Sequence, residues 1–549
     1  MRSVLLLVAF SGISFSQPYI NYRGIVNVAS YMAPGLPAGS LPRGGMIAIF
    51  GRNLGPATGA QATNFPLDTT LAGVSVTVTQ QSTTVNALPV YVGAGQINAI
   101  IPSGAPLGRV SIRATVNGVA SNPCTVNIVA ANVGLFSVNS GGFGPGIIQN
   151  FSADGIVVNS TQLTARPGQV EILWGTGLGA VAADNVAPTP GDLPIQVEVF
   201  LGGQSAAVLY SGRTSCCAGI DQINFTVPSG APAGCYVPVV VRLNGSLVSN
   251  TVTMAIDPNG APCTDPANPL SAIFRSGGRF GAALLSHEDV HSATAVSGSA
   301  TFDSAALSLR QETGGAWAFD PYVSLPPVGT CTAYAIAGVY PGLNDLPGIT
   351  ASVKDLDGGA SASIAGTAGT ASLPRGTTSP MFYSALLATS LGLSGVPTSF
   401  FSDGSPVVLS GAGGPDVGSF QAKVTAGPAF TWTNQGSVTA VTRSAGFAVT
   451  WSNAPPGTTA VSIVGFNADL ANNVSGGFLC LASPSAGTFT VPPLALGNLP
   501  ATPASSASDL GWISVGAALL GSPASFAATG LDQGIAVFAS SSKQSVVYR

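Results

Sequence analysis

The chain has 549 residues, of which 7% are charged and 46% are hydrophobic, and it contains 70 glycines and 41 prolines. This length exceeds one ordinary core and predicts two to four domains. The abundance of apolar residues excludes a disordered chain. The net charge is −4 and the sequence has no basic run, so nothing in it indicates the positive surface that binds nucleic acid.

The N-terminus has the features of a secretory signal. Arg2 supplies a positive charge, residues 4–10 form a short apolar core, and two serines occupy the −3 and −1 positions of a cleavage before Gln17. Segment 1–16 is therefore predicted to be a signal peptide, which makes the protein exported, to the cell surface, the extracellular space or the periplasm. Its apolar core is too short to span a bilayer, and no transmembrane segment is predicted after it. An uncleaved N-terminal anchor is the alternative.

The first half of the chain contains a repeat. Three segments recur in the same order at an offset of about 125 residues. They are IFGRNLG (49–55) and LWGTGLG (173–179), GQINAIIPSGAPLG (95–108) and DQINFTVPSGAPAG (221–234), and VNGVASN (116–122) and LNGSLVSN (243–250). This spacing predicts two tandem domains, at residues 17–130 and 131–256.

Each copy of the repeat has the pattern of an all-β domain. The segment GVSVTVT (73–79) alternates apolar and hydroxyl residues with the period of two that a half-buried strand requires. Asn117-Gly118 and Asn244-Gly245 stand between apolar runs, as in hairpin turns with positive φ. Several short strands per hundred residues predict an Ig-like β-sandwich for each copy.

Residues 24–256 resemble a known family at these motifs. The segment VNVAS (26–30), the glycine-rich turn after each IFG or LWG strand, the QIN segments and the CCAG segment before the second QIN carry the likeness. The chain resembles the tandem IPT/TIG-type immunoglobulin-like domains of secreted acidobacterial proteins, which also carry an uncharacterised β-rich C-terminal region. The resemblance implies the architecture only, because these motifs are structural and include no catalytic residues.

The sequence pattern changes after residues 257–270, a predicted linker that is rich in proline and turn residues. Residues 271–549 show no third copy of the repeat but still read as strands. FTWTN (430–434) and VTWSN (449–453) are candidates for neighbouring strands of one sheet. We therefore predict an all-β protein with two Ig-like sandwiches and a larger β-sandwich region, which forms either one domain or two.

An exported protein can keep disulfides, and this chain has seven cysteines. Cys331 and Cys480 are the only two in the C-terminal region, so a bridge between them is the simplest pairing. Cys124 alternates with apolar residues in its strand and is predicted to be a buried free thiol.

The remaining four cysteines lie in or just after the second repeat. Adjacent Cys216 and Cys217 do not close on each other without strain. We therefore expect Cys235 to pair with one of them and Cys263 to pair with the other.

His287, Glu288 and His291 form the pattern H-E-x-x-H, and the chain has no other histidines. In a zinc hydrolase this pattern lies on a helix, where the two histidines are about 6 Å apart along the axis. On a strand the same spacing is about 13 Å, which is too far for one zinc ion. The third ligand would have to be a carboxylate such as Glu312. The surrounding sequence favours extended backbone, so we predict no zinc site.

Other candidate sites have simpler structural interpretations. Asp355 and Asp357 do not complete a calcium-binding loop and predict a turn. The nucleophile-elbow and Walker A patterns are both missing from the sequence. Scattered tryptophans are more often core residues than a sugar-stacking platform. The five tryptophans are Trp174, Trp317, Trp432, Trp451 and Trp512.

These observations favour a non-catalytic exported protein with a binding, adhesion or structural role, and no cofactor is predicted. Ig-like folds carry their functions on loops and strand faces. The expected partner is an extracellular protein or a polysaccharide. The alternative is a zinc-dependent hydrolase that uses His287, Glu288 and His291.

Overall fold

The computed structural model describes residues 17–549 except 154, 266–267, 293–297, 322, 339–352, 380, 453, 456, 504–509 and 519–522. The predicted signal peptide, residues 1–16, lies outside the described residues. Strands dominate the described chain, and its two α-helices, α1 (Ser271–Ser276) and α2 (Pro493–Leu496), are short. The predicted all-β class is therefore confirmed. Among the described residues no helix has the length and apolar character needed to cross a membrane.

The first unit, residues 19–129, is a single sheet folded over its own core. Strand β7 pairs with β6 on one side and with β8 on the other, and the main order is β1-β3-β8-β7-β6-β9-β11-β2. Val74, Val76 and Val78 are fully buried, as the period of two predicted. The strands of this unit are β1 (Tyr19–Asn27), β2 (Leu41–Pro42), β3 (Met46–Arg52), β4 (Ala60–Gln61), β5 (Thr70–Leu71), β6 (Val74–Gln80), β7 (Thr83–Val92), β8 (Gln96–Ile100), β9 (Gly108–Val116), β10 (Val119–Ala120) and β11 (Cys124–Val129).

The second unit, residues 134–256, follows the same plan. Its main strand order is β14-β13-β15-β19-β18-β17-β20-β21. The strands of this unit are β12 (Gly134–Leu135), β13 (Ile148–Ser152), β14 (Gly155–Val158), β15 (Val170–Thr176), β16 (Gly191–Asp192), β17 (Val197–Leu201), β18 (Gln204–Arg213), β19 (Asp221–Thr226), β20 (Gly234–Leu243), β21 (Leu247–Val248) and β22 (Val252–Ile256).

The two units repeat each other in detail, which confirms the tandem repeat. Strand β8 pairs with β3 and β7, and its counterpart β19 pairs with β15 and β18. The Gln96 side chain donates to the Asn98 side chain over 2.8 Å, and Gln222 donates to Asn224 over 2.9 Å. Strands β7 and β18 even share a register shift just before a tyrosine, Tyr91 or Tyr210. The exact domain boundaries stay a prediction.

The C-terminal unit, residues 271–548, is built on a ten-stranded sheet of main order β25-β36-β35-β38-β40-β23-β24-β26. Its strands are β23 (Gly278–Ser292), β24 (Gly298–Glu312), β25 (Cys331–Ala337), β26 (Val353–Asp355), β27 (Ser361–Gly366), β28 (Gly369–Pro374), β29 (Phe382–Thr389), β30 (Pro406–Gly411), β31 (Phe420–Thr425), β32 (Thr431–Trp432), β33 (Ala440–Val441), β34 (Phe447–Ser452), β35 (Ala460–Asp469), β36 (Val474–Ala482), β37 (Thr488–Val491), β38 (Trp512–Ala518), β39 (Ala524–Phe526), β40 (Gln533–Ser545) and β41 (Val547–Tyr548).

Two cores lie side by side on one face of the ten-stranded sheet. The four-stranded sheet β28-β27-β30-β31 covers the first core, which contains Leu285 and Leu307. The three-stranded sheet β32-β34-β37 covers the second core, which contains Trp432 and Trp451. These two tryptophans face each other on β32 and β34, so the predicted pairing of the two tryptophan segments is confirmed.

The disulfides agree only in part with the sequence-based pairing. Cys331 and Cys480 lie opposite each other on β25 and β36 and are bonded, as predicted. Cys235, however, is bonded to Cys263, whose Cα atom lies 5.3 Å away. This bridge ties β20 to the segment that follows the second unit.

Cys216 and Cys217 are bonded to each other, so the predicted pairing of these two residues with Cys235 and Cys263 is wrong. The reason is the position of the loop that carries Cys216 and Cys217, because this loop packs against the first unit. Its Ala218 packs beside Leu88 and Ile100 of the first unit, so the loop does not bring the cysteines to Cys235.

Cys124 is a free thiol, as predicted, but it is half-buried and not fully buried. It is the first residue of β11, where the strand begins at the margin of the core. Burial raises the pKa of the Cys124 thiol.

The joint between the first two units is centred on a buried ion pair, Arg213–Asp221. Asp221 also accepts the backbone N–H groups of Gly177 and Leu178 over 2.6 and 2.7 Å. Arg213 donates to the carbonyl oxygen of Gly44 in the first unit over 2.7 Å. A buried charge is stable only when it is paired and hydrogen-bonded. The ion pair and the two backbone donors together meet this requirement for the Asp221 carboxylate.

The C-terminal unit contacts both repeat units. Its Phe319 and Tyr334 pack against Tyr236 and Phe143 of the second unit, with ring centroids 5.7 and 5.8 Å apart in the pairs Tyr236–Phe319 and Phe143–Tyr334. Val474 packs into an apolar cluster of the first unit. The members of that cluster from the first unit are Met32, Ala33, Leu36 and Ala38. All three units therefore touch one another and do not form a simple string.

Glu171 is an exception to the apolar core of the second unit. It is fully buried on β15, and neither carboxylate oxygen has a hydrogen-bond partner among the described residues. Burial raises the pKa of Glu171 to about 9. The repeat aligns it with Ile47, which is fully buried in the first unit. The acid is therefore a neutral, destabilising substitute for an aliphatic side chain.

We predict that Glu171→Ile raises the melting temperature of the second unit, and by more at pH 8 than at pH 4. Because the folded-state pKa is raised, the stability associated with this proton is complete below the unfolded pKa of 4.5 and is lost as the pH rises towards 9. At pH 7 the penalty is on the order of 3 kcal/mol. Calorimetry at the two pH values measures the effect, with Glu171→Gln as a polar control that also removes the pH dependence. An equal gain from Glu171→Ile at both pH values would show that the carboxyl group does not titrate as described.

Candidate functional site

The H-E-x-x-H motif lies in the middle of strand β23 and not on a helix. His287 is opposite Asp303 on the antiparallel neighbour β24 and opposite Ser540 on the parallel neighbour β40. Side chains alternate along a strand, so His287 and His291 share one face about 13 Å apart, and Glu288 lies on the other face. Glu312 is nine residues along β24 from Asp303, about 30 Å away. The four side chains do not converge on one metal position.

His287 is held between two carboxylates. Its Nδ1 is 2.6 Å from Oδ1 of buried Asp303, and its Nε2 is 3.6 Å from Oδ1 of Asp289. These contacts, with Asp289 first and Asp303 second, raise the pKa of His287 to about 10. The ring is therefore an imidazolium at neutral pH, with no lone pair for a metal ion, which requires a neutral imidazole.

Asp303 anchors this arrangement to the cover of the first core. Its Oδ2 accepts the backbone N–H groups of Phe400 and Phe401 over 2.6 and 3.1 Å. One buried carboxylate thus receives the imidazolium and two backbone donors, which satisfies the charge that burial would otherwise make unfavourable.

His291 belongs to the same polar layer. Its Nδ1 is 2.9 Å from Nε2 of Gln435, which also donates to the carbonyl oxygen of Lys543. The Ser542 hydroxyl donates to Oε1 of Gln435 over 2.9 Å. We call His287, Asp289, His291, Asp303 and Gln435 the histidine cluster. It lies on the sheet face between the two cores and fixes the covering segments by hydrogen bonds.

The other polar candidates are also engaged within the chain. Oδ1 of Asp357 accepts the N–H of Gly359 over 2.8 Å, as in an Asx-type turn, and its Oδ2 accepts from Arg375. Oδ1 of Asp355 accepts the N–H of Met381 over 3.1 Å. Within the described ranges no group of three or more His, Cys, Asp or Glu side chains is arranged to hold a metal ion.

The tryptophans form no common platform. Trp432 and Trp451 are buried in the second core of the C-terminal unit. Trp174 lies on β15 of the second unit, and Trp512 stacks on Phe466 in the C-terminal unit. Trp317 is the most exposed, and its indole N–H donates to the carbonyl oxygen of Asn159 over 2.8 Å.

A cleft with exposed tyrosines lies where the first unit meets the C-terminal unit. Its volume is about 600 Å³, and it is bounded by β1, by β11 and by Asn472 of the C-terminal unit. Tyr22 is 79% exposed and Tyr19 is 39% exposed. We call this site the tyrosine cleft. Its lining side chains include Tyr19, Asn21, Tyr22, Arg23, Arg109, Asn122 and Asn472.

A bulge in β1 places both tyrosines in this cleft. The pairing of β1 with β3 shifts register between Ile20 and Ile25, and Arg23 has a φ of +55°. A bulge of this kind turns side chains away from strict alternation. As a result, Tyr19 and Tyr22, which are three residues apart, line the same cleft.

An arginine flanks each of the two tyrosines, and of these two arginines only Arg23 is among the residues that line the cleft. The Arg23 guanidinium lies 5.2 Å from the ring centroid of Tyr22, and that of Arg52 lies 4.6 Å from that of Tyr19. Arg23 also donates to Oδ1 of Asn472 over 3.2 Å, across the junction of the two units. Sequence reasoning missed this site because one wall of the cleft comes from a residue 449 positions away.

No family model matches the chain, and no curated protein matches it. Solved structures with local similarity include SGBP-B of the Bacteroides ovatus mixed-linkage glucan utilization locus, in complex with a mixed-linkage heptasaccharide (15% identity, 40% of this chain, 44% of that chain, TM-score 0.18). A tetra-tandem repeat from a large adhesion protein aligns over 96% of this chain and 98% of that chain at 11% identity and a TM-score of 0.13.

The extracellular region of plexin A4 aligns over 44% of this chain and 19% of that chain, at 14% identity and a TM-score of 0.16. The chain thus spans less than half the length of plexin A4 or SGBP-B. TM-scores this low carry no argument about function. The Ig-like tandem architecture is described by the structure itself, and the IPT/TIG type and acidobacterial origin stay predictions.

We predict that His287→Asn lowers the stability of the C-terminal unit by about 2 kcal/mol at pH 6, the scale of a hydrogen bond to a charged group. The folded-state pKa is raised, so this stabilisation is complete below the unfolded value of 6.5 and is lost as the pH rises through about 10. Thermal unfolding from pH 6 to 10.5 should therefore show the variant and the wild type converging at high pH. The control is His291→Asn, which should keep the alkaline loss of stability. A gap between His287→Asn and the wild type that stays constant with pH would contradict a charged His287.

Proposed function

We propose that this is an exported, non-catalytic protein that binds a polysaccharide in the tyrosine cleft. The observation that carries the proposal is the pair of exposed tyrosines, Tyr19 and Tyr22, each beside an arginine in a cleft of about 600 Å³. The volume falls in the range of small-ligand sites, which often form at the junctions of domains.

Sugars suit this lining chemically. A pyranose ring has an apolar C–H face that packs on an aromatic ring, and hydroxyls at its rim that need donors and acceptors. Tyr22 supplies a largely free aromatic surface, and Arg23 and Arg109 supply N–H donors at the wall. The guanidinium of Arg23 also holds the Tyr22 ring from one side, because a cation is attracted to an aromatic face.

Both walls of the cleft are fixed before a ligand arrives. The apolar cluster around Met32 and Val474 joins the first unit to the C-terminal unit close to the Arg23–Asn472 hydrogen bond. A preorganised site loses less conformational entropy on binding than a mobile one. This supports a binding role for the junction, and the predicted signal peptide and the disulfides agree with an extracellular setting.

A structural or adhesive role by self-association is the second candidate. Strand β14 is the edge of the second unit's sheet, and its Ile156 and Val157 are 51% and 44% exposed beside Phe151, which is 51% exposed. Edge strands in monomers are commonly protected by charge or proline, and the segment Gly155–Val158 contains neither. Reversible dimers in analytical ultracentrifugation that Ile156→Lys abolishes would favour this role.

We predict that Tyr22→Ala weakens polysaccharide binding at least tenfold without changing the melting temperature. Loss of a stacking surface accounts for the decrease, and the high exposure of Tyr22 accounts for the unchanged stability. A glycan array on the full mature chain identifies the ligand, and affinity electrophoresis in that polysaccharide measures the variants.

The matched control is Tyr91→Ala, which removes another partly exposed tyrosine of the first unit that is not part of the tyrosine cleft. It should bind as the wild type does. Wild-type protein that binds no polysaccharide on the array, or a Tyr22→Ala variant that binds normally, would refute the proposal.

A further inference from the structure

An apolar pocket opens on the C-terminal unit, on the sheet face opposite the histidine cluster. Its volume is about 330 Å³. Much of the floor is formed by even-numbered residues of β23 and β24 and by Val537 of β40, and residues 268–270, Val323 and Leu325 contribute to the wall. Residues of the floor include Ala282, Leu284, Ala306 and Ser308, and the wall includes Leu270 and Leu325.

The pocket is amphipathic along the strand direction. Leu284 is opposite Ala306 and Val537, so that end is aliphatic. Four residues further along β24 stands Arg310, which lines the other end. The distance between these ends is about 13 Å at the rise of a strand. The site is thus elongated, with apolar walls and a single cationic end.

Two donors at the cationic end lack partners. The hydroxyl of Ser308 and Nε of Arg310 make no hydrogen bond within the described part of the chain, although both residues are more than nine-tenths buried. Such groups are unfavourable unless something satisfies them. The charge of Arg310 is already balanced, because its Nη1 lies 3.3 Å from Oδ2 of Asp320. The missing group is therefore a neutral oxygen acceptor and not an anion.

We propose that this pocket binds a short free acyl or alkyl chain of roughly eight carbons with an uncharged oxygen at its head, as in an alcohol or an ester. The chain length follows from the strand span of about 13 Å, and the volume fits the lower range of small-ligand sites. The head oxygen supplies the acceptor that Ser308 and Arg310 lack, and the chain lies along Ala306 towards Leu284. The proposal is independent of the tyrosine cleft, which is formed by β1, β11 and Asn472.

Isothermal titration of the full mature chain with 1-hexanol, 1-octanol and octanoate tests the proposal. We expect saturable binding of one 1-octanol, with an affinity that rises about fourfold per methylene from hexanol. Octanoate should bind at least fivefold more weakly than 1-octanol, because Asp320 already neutralises Arg310. No saturable binding of 1-octanol, or tighter binding of octanoate, would overturn the proposal.

Variants locate the binding in the pocket. Ala306→Trp fills the aliphatic end and should abolish 1-octanol binding, and Ala282→Leu provides a smaller filling substitution if the tryptophan variant does not fold. Ser308→Ala should weaken 1-octanol several-fold but keep the dependence on chain length, because it removes only a donor to the head group. The control Leu386→Ala changes an exposed leucine outside the pocket and should bind normally. A folded filling variant that binds 1-octanol as tightly as the wild type would overturn the assignment.

A membrane lipid is the other source of such a chain. Phosphatidylcholine vesicles mixed with the same protein should not co-sediment with it, because the pocket fits a short free chain. Co-sedimentation that Ala306→Trp or Ala282→Leu abolishes would contradict a free ligand and assign the pocket to a lipid.

Discussion

Strand β23 is the constraint on which the C-terminal unit depends. Its fifteen residues pair along their whole length with β24, and twelve of them pair in parallel with β40. The strand therefore joins the part of the sheet under the first core to the part under the second. Backbone hydrogen bonds on both sides fix its conformation, so the H-E-x-x-H sequence cannot adopt the helix that zinc binding requires. Its histidines serve instead as polar links between the two cores.

The joints between units depend on residues that the repeat does not share. Arg213 and the Cys216–Cys217 loop belong to a stretch before the second QIN segment that has no counterpart in the first copy. Asp221 stands where the first copy has Gly95. These differences give the second unit the buried Arg213–Asp221 ion pair, and Arg213 donates from it to the carbonyl oxygen of Gly44 in the first unit. The tyrosine cleft lies at another junction, between β1 and β11 of the first unit and Asn472 of the C-terminal unit.

Local patterns predicted much of this fold. Alternation identified the strand at Val74–Gln80, the repeat identified equivalent QIN segments, and two isolated cysteines identified the Cys331–Cys480 bridge. The sequence also predicted extended backbone around His287 and not a helix, because the surrounding residues favour that conformation.

What the sequence did not reveal depends on long-range packing. The Cys235–Cys263 bridge depends on where the linker after the second unit folds back. The Cys216–Cys217 bond depends on a loop that packs against the first unit. The tyrosine cleft forms only because Asn472 lies beside Arg23 in the folded chain. The apolar pocket forms only because the segments around Leu270 and Leu325 pack on the ten-stranded sheet. None of these contacts leaves a periodic signal in the chain.

We conclude that the histidine motif forms a charged structural cluster whose side chains do not converge on one metal position. Because the chain has only two histidines, NMR titration of their imidazole carbons tests it directly, with His291→Asn to assign His287. We expect a midpoint for His287 near 10, and spectra at pH 7.5 that equimolar zinc does not change. A midpoint near the unperturbed value of about 6.5, or zinc-dependent shifts of both imidazoles, would contradict it.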